Sequence, residues 1–256
     1  MRRLLTSLLT AVFAISVFQL LHQQREYAKG QADQTEAART AGLLQTLPEP
    51  EEAPATPDKD TASPPSCAEL LAQTDLAALQ QTNPDILGWL CLPQTGISYP
   101  LVQTDNNDYY LTHSWKNEPS AVGSIFLDAR SAPDLSDFNS ILYGHRMRDG
   151  SMFAALQNYS RTDYWQQAPD LYLLTAAGVQ RWRIFAAYKA PTDALLYEPS
   201  LNSPEQKAGI LQYALDNSQI QTDLRPGTED RILTMVTCTG HGYADRWVVQ
   251  AVLQEE

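Results

Sequence analysis

Ile232-Leu-Thr-Met-Val-Thr-Cys238 reads as a β-strand that ends on a thiol. Apolar and β-branched residues fill the run, and a polar loop, Thr239-Gly-His-Gly-Tyr-Ala-Asp245, opens immediately after it. A cysteine at the last position of such a strand stands at the mouth of a β scaffold rather than in its core. Similar short runs lie on either side: Ile86–Leu92, Ser98–Val102, Ser124–Leu127, Ser140–Tyr143, Leu171–Leu174, Arg181–Tyr188 and Trp247–Leu253. Turn residues separate many of them, among them Pro93-Gln-Thr-Gly96, Asp149-Gly150, Gly178 and Pro226-Gly227. About eight short strands with irregular connections predict a mainly β fold, a barrel or a sandwich.

Helices are expected in two places. Ser66-Cys-Ala-Glu69 has the spacing of a capping box and predicts a short helix through Leu70 and Leu71, with another through Leu76 and Leu79. Ser203-Pro-Glu-Gln206 repeats the signature with proline at the first helical position, and Ile210, Leu211, Ala214 and Leu215 supply one apolar face. That helix falls between the sixth and seventh strands.

The first 65 residues read differently. Arg2 and Arg3 precede Leu4–Leu21, an 18-residue run interrupted only by Thr, Ser and Gln. At a rise of 1.5 Å it nearly spans a hydrocarbon core of roughly 30 Å. Residues 1–21 are therefore expected to be a single-pass membrane anchor with a cytoplasmic N-terminus and an extracellular C-terminal domain. A cleaved signal peptide is the competing reading, but no small-x-small site follows at once. Residues 22–65 are expected to be an extracellular linker, Pro- and acid-rich around Pro48–Asp60. Helix is conceivable over 23–45, with no visible core for it to pack on. The globular domain is expected over 66–256.

The 256-residue chain carries 18 Lys and Arg against 30 Asp and Glu, a formal charge of −12. That balance excludes a general nucleic-acid binder, which needs a basic face. The 3 cysteines cannot build a disulfide framework and lack the paired spacing of a zinc site. Cys67 reads as a helix-start residue and Cys91 as a core residue, with a bridge between them left open. Asp105-Asn-Asn-Asp108 has calcium-like ligand types without the spacing of a calcium loop and reads as a turn.

His145 follows the strand Asn139-Ser-Ile-Leu-Tyr143, and Arg246 opens the last strand. Cys238, His145 and Arg246, each at a strand end, supply a nucleophile, a proton carrier and an oxyanion partner. Asn83-Pro-Asp-Ile-Leu-Gly-Trp-Leu90, Tyr99-Pro-Leu-Val102, Asn107-Asp-Tyr-Tyr-Leu111, Gly123-Ser-Ile-Phe-Leu-Asp128, Tyr143-Gly-His145, Asp149-Gly-Ser-Met-Phe153 and Ile232–Cys238 follow in order. With these stretches the sequence resembles the sortases, cysteine transpeptidases of Gram-positive envelopes, and most closely class B. Met235 stands where the family's T-L-x-T-C motif has Leu, and Thr239 follows the cysteine where class B places a carboxylate.

The resemblance implies an eight-stranded sortase-type β-barrel with N-terminal helices and a helix between strands six and seven. It implies that Cys238 attacks the Thr carbonyl of a C-terminal sorting signal, that His145 serves as acid and base, and that Arg246 stabilises the oxyanion or positions the peptide. Asn107, Leu111, Thr192, Leu196, Tyr197 and Thr237 are the substrate-binding candidates. Expected partners are a surface or pilin protein carrying the signal, a peptidoglycan precursor or pilin amine as acceptor, and the membrane through residues 4–21, with no nucleic acid. No cofactor or metal is implied. An envelope cysteine protease and a non-catalytic envelope module are the alternatives. Leu92-Pro-Gln-Thr-Gly96 mimics a sorting signal but reads as an ordinary turn, and His241 reads as a surface residue.

Overall fold

The computed structural model describes residues 2–43, 66–199, 201–238 and 244–254; the side chains of residues 2–8 and of Cys238 lie outside the description, as do the Pro-rich stretch, Thr239 and His241. Eight strands close into a barrel in the order β1-β2-β3-β4-β7-β8-β6-β5. They are β1 (Ile86–Leu92), β2 (Ile97–Val102), β3 (Ile125–Leu127), β4 (Asn139–Tyr143), β5 (Asp170–Thr175), β6 (Gly178–Pro191), β7 (Ile232–Cys238) and β8 (Asp245–Gln254). β2 with β3 and β4 with β7 are parallel, and every other pair is antiparallel. Closure leaves no open edge for another chain to pair with.

Alternation along each strand sorts the apolar residues into two layers. Leu90 and Leu92, Trp182 and Ile184, Leu233 and Met235, and Trp247, Val249 and Ala251 fill the barrel interior. Trp89 and Cys91 of β1 face the other way, beneath the N-terminal helices α2 (Cys67–Ala72) and α3 (Leu76–Thr82). Val248 and Val252 of β8 lie under α5 (Pro204–Asn217), whose Ile210, Leu211 and Ala214 are buried against them. A short α4 (Thr162–Gln167) precedes β5. The Leu92–Gly96 segment is the β1–β2 turn, with Gln94 and Gly96 at φ of 62° and 73°.

Ser66 accepts from the Glu69 amide and Glu69 reaches back to the Ser66 amide, so the first capping box forms. The second does not. The Ser203 hydroxyl donates to the Glu205 carboxylate at 2.5 Å and caps no backbone amide. α5 still forms because its apolar face is buried; packing, not the cap, decides it. Cys67 and Cys91 are bridged, with Cα atoms 6.0 Å apart, which settles the open question of the two cysteines.

The largest departure is α1, one helix from Arg2 to Thr40. Leu9, Phe13, Phe18 and Leu20 along its first half are exposed. Among the described residues, no helix is long and apolar enough to cross a membrane. Over residues 22–43, the described part of the linker expected at 22–65, the second half is not a free tether. Ala37 and Ala41 are fully buried, and Trp115 Nε1 donates to the Asp33 carbonyl at 2.9 Å. Lys116 pairs with Asp33 at 3.2 Å and Glu36 at 2.8 Å, and Lys29 Nζ donates to the Pro119 carbonyl. A Cβ on Gly30 would come within 2.6 Å of Val122, so the helix lies close on the β2–β3 connection. The core that the sequence hid is made of alanine, glycine and one distant tryptophan, which leave no apolar stripe.

Candidate active site

Four strand ends share one rim. β4 and β7 run parallel, with Tyr143 level with Val236, and β8 runs back against β7 with Cys238 opposite Arg246. β6 finishes beside them, Ala190 opposite Arg246 and Pro191 opposite Asp245. Two residues beyond the Tyr143/Val236 pair come His145 and Cys238, so the three sequence candidates gather at one end of the barrel. Directly opposed residues in an antiparallel pair share a face. Arg246 therefore lies on the face opposite to that of Trp247 and Val249, which fill the interior, with position 238 as its register partner.

Gly144 carries the chain from Tyr143 to His145. Its amide donates to the Val236 carbonyl at 3.2 Å, and an added Cβ would collide with Ile125 and lie 2.7 Å from the Phe153 ring. Only glycine lets β4 pass that close to the barrel core before the imidazole emerges. His145 Nε2 lies 2.7 Å from the Leu111 carbonyl oxygen. A carbonyl cannot donate, so Nε2 carries the proton in this contact and Nδ1 is the nitrogen left for other partners. The Phe153 amide returns to the His145 carbonyl at 2.9 Å, pinning the residue from its backbone side.

The remaining candidates occupy distinct places. Leu111 lies in a 3-10 turn, Tyr109–Leu111, half-buried, with its carbonyl on His145. Asn107 is engaged at both ends of its amide, donating to Asp128 at 3.1 Å and accepting from the Ala129 amide at 2.8 Å, so it braces the β3–β4 connection. Thr192 is exposed, and its amide donates to the Ala244 carbonyl. Leu196 is buried in the core under α5, so its side chain serves packing; its carbonyl accepts from Asn139 Nδ2 at 2.7 Å. Tyr197 is half-buried, and its hydroxyl has no partner among the described residues. Burial raises the Tyr197 phenol well above its ordinary value, against the opposing pull of the nearby Arg246 charge. Thr237 is buried next to position 238, and its hydroxyl has no partner among the described residues. Bridging of Cys67 with Cys91 leaves Cys238 as the remaining cysteine of three.

Sequence reasoning assigned no role to Asp128, Arg130, Glu198 or Asn139. Asp128 is wholly buried and accepts from Arg130, Tyr143 and Asn107. Burial alone would raise its carboxyl; the hydrogen bonds and charge of Arg130, with the Tyr143 hydroxyl, outweigh that and hold it below the ordinary range. The available signal was a carboxylate directly after the apolar strand Ile125-Phe-Leu127, with an arginine two residues on. Among the described residues, no cluster of His, Cys, Asp and Glu could hold a metal ion.

Comparison with known proteins agrees with this architecture. A sortase domain family profile matches residues 90–254. The sortase B of Listeria monocytogenes is 37% identical over 164 residues, 64% of this chain and 67% of the relative. The sortase B of Staphylococcus aureus is 30% identical over 161 residues, 63% of this chain and 66% of the relative. The structure of that protein as a substrate complex superposes with a TM-score of 0.66, over 70% of this chain and 84% of that one, at 28% identity. The crystal structure of sortase B from B. anthracis in complex with AAEK1 gives a TM-score of 0.71 over 91% of this chain and all of that one, at 29% identity. The chain belongs to the sortase family and is a class B-like, sortase-type cysteine transpeptidase.

Proposed function

We propose that Cys238, His145 and Arg246 carry out transfer of a secreted protein, cut at the Thr of its sorting signal, to an amine. The Cys238 thiolate attacks the Thr carbonyl carbon, and Arg246 faces the charge that develops on the carbonyl oxygen. The C–N bond to the next residue breaks, and His145 protonates the departing amine. A thioester remains. An acceptor amine then attacks it and gives its proton to His145, and the C–S bond breaks to regenerate the thiolate. The acceptor is an amine of a peptidoglycan precursor or of a pilin lysine. The observation that supports this reading most is the register: Cys238 stands directly opposite Arg246, and His145 follows the neighbouring parallel strand at the same level. The substrate complex of the Staphylococcus aureus relative supports a peptide groove on this fold.

Anchoring through residues 4–21, with the catalytic domain outside the cell, belongs to the same proposal. Its support is the apolar run itself and the exposure of Leu9, Phe13, Phe18 and Leu20 along α1.

The test uses the enzyme with a panel of Pro- and Thr-containing sorting peptides, with and without triglycine or hydroxylamine. Mass spectrometry follows Cys238, with Cys238→Ala as the control. An acyl adduct that passes to the added amine is expected. Hydrolysis insensitive to amine assigns the chain to proteolysis instead, and absence of any adduct across the panel removes the proposed activity.

A further inference from the structure

Asp128 directly follows β3 and has no exposed surface, yet its carboxyl is held below the ordinary range. A buried carboxylate survives only when its lone pairs are filled. Five donors fill these: the Arg130 amide at 2.9 Å, Arg130 Nε at 3.0 Å, Arg130 Nη2 at 3.0 Å, the Tyr143 hydroxyl at 3.0 Å and Asn107 Nδ2 at 3.1 Å. They come from three segments of the rim. Tyr143 stands two residues before His145, Asn107 lies on the β2–β3 connection, and Arg130 is on the β3–β4 connection.

Arg130 has a second set of contacts. Its Nη2 donates to the Tyr197 carbonyl at 2.7 Å, and its Nη1 to the Glu198 carboxylate at 3.2 Å. Segment 192–198 has no ladder of its own. It is a 3-10 turn, Leu195–Tyr197, tied otherwise by Asn139 to the Leu196 carbonyl and by Thr192 to Ala244. Arg130 therefore holds by its backbone the residue whose phenol feels the Arg246 charge and whose buried hydroxyl has no partner among the described residues. An exposed ion pair would contribute little to such a task. This guanidinium is instead seated on a fully buried carboxylate in fork geometry, which a lysine ammonium cannot reproduce.

We propose that Asp128 and Arg130 form a clasp that positions Tyr197 and the 192–198 segment against Arg246 and so sets affinity for the sorting peptide. The inference rests on the peptide-binding role proposed above for that segment. Asp128 and Arg130 are positioning residues: neither is required to touch the peptide, and both act through Tyr197.

Three readouts test it on the full chain with Arg130→Ala, Arg130→Lys and Glu198→Gln. Amide exchange over 192–198 reports the clasp without reference to activity. KM and kcat for whichever panel peptide the parent enzyme turns over report its use, and iodoacetamide labelling of Cys238 reports the catalytic rim. In Arg130→Ala, exchange over 192–198 is expected to accelerate and KM to rise roughly ten- to a hundredfold, as for a misplaced binding group. The kcat and the labelling rate should hold. Arg130→Lys should fall between parent and alanine. Should Arg130→Ala fail to fold, Arg130→Lys and Glu198→Gln carry the same comparison. Unchanged exchange in the folded variants overturns the clasp. A loss confined to kcat overturns its link to peptide affinity. If the parent enzyme turns over no peptide, the transpeptidation reading fails while the exchange result still decides the clasp.

Discussion

His145 Nε2 and the Leu111 carbonyl oxygen are 2.7 Å apart, so the proposed proton carrier is oriented by the backbone of a different connection. Gly123, at φ 64°, packs close beside that carbonyl: an added Cβ would come within 2.6 Å of the Tyr110 oxygen and 2.8 Å of the Leu111 oxygen. Gly123→Ala should push Leu111 away from the imidazole and strain the backbone by about 1–3 kcal/mol. Transfer activity is expected to fall roughly a hundredfold, read as kcat on the peptide panel, with a lowered Tm. Parent-like kcat in a folded Gly123→Ala protein would show that Leu111 does not orient His145.

The bridge between Cys67 and Cys91 closes a loop over 24 positions. On the chain-entropy account such a link stabilises by about 3 kcal/mol. Cys67→Ser with Cys91→Ser should lose that amount in denaturant unfolding and keep peptide transfer, since the bridge lies under α2 and not at the rim. The native protein should release one thiol equivalent to Ellman's reagent, at Cys238. Three equivalents from unreduced protein would contradict the bridge.

Acid should unfold the protein through particular carboxylates. Asp128 and Asp170 both have carboxyls held below their ordinary value of 3.8; burial pushes each up, and the arginines (Arg130 for the first, Arg181 and Arg183 for the second) outweigh it. A depressed native value means that the unfolded chain takes up the proton first as pH falls. The stabilisation is complete above the unfolded value and drains away as pH drops through the lower folded values. Unfolding free energy should therefore be flat near neutrality and fall below about pH 4. Asp170→Asn should flatten part of that decline; an identical acid limb in the variant would assign the loss to other groups.

Trp115 is 5% exposed and hydrogen-bonded to the Asp33 carbonyl of α1. Trp115→Ala should cost about 3–5 kcal/mol through the cavity it leaves and the lost hydrogen bond. A fragment beginning at residue 66 should likewise melt below one beginning at residue 22. Equal melting temperatures for the two fragments would show that α1 contributes nothing to the folded domain.

The strands were legible because alternation and turn residues act locally. Ile86–Leu92 is a strand over the residues its pattern marked, and Gly178–Pro191 merely extends the Arg181–Tyr188 run at both ends. That Cys238, His145 and Arg246 stand at strand ends was legible from chain order, and the register brings those ends to one rim. What escaped was long-range and polar. Asp128 and Arg130 look like an ordinary loop pair until the fold brings Tyr143, Asn107 and Tyr197 to them. The docking of α1 escaped because alanine and glycine bury backbone rather than side chain, and no periodicity records that. The Ser203 box misled for the opposite reason: its spacing is local and correct, but the hydroxyl donates to Glu205 and accepts from no backbone amide.

α1 runs unbroken from its exposed apolar half to Gly30, where it meets Val122. Nine residues separate Leu21 from Gly30, a rise of roughly 14 Å. In the proposed anchored arrangement the helix is thus a rigid stanchion rather than a leash. The barrel would hover at one altitude above the bilayer with one side turned down, and both substrates would have to present their reacting ends within that thin slice of the envelope.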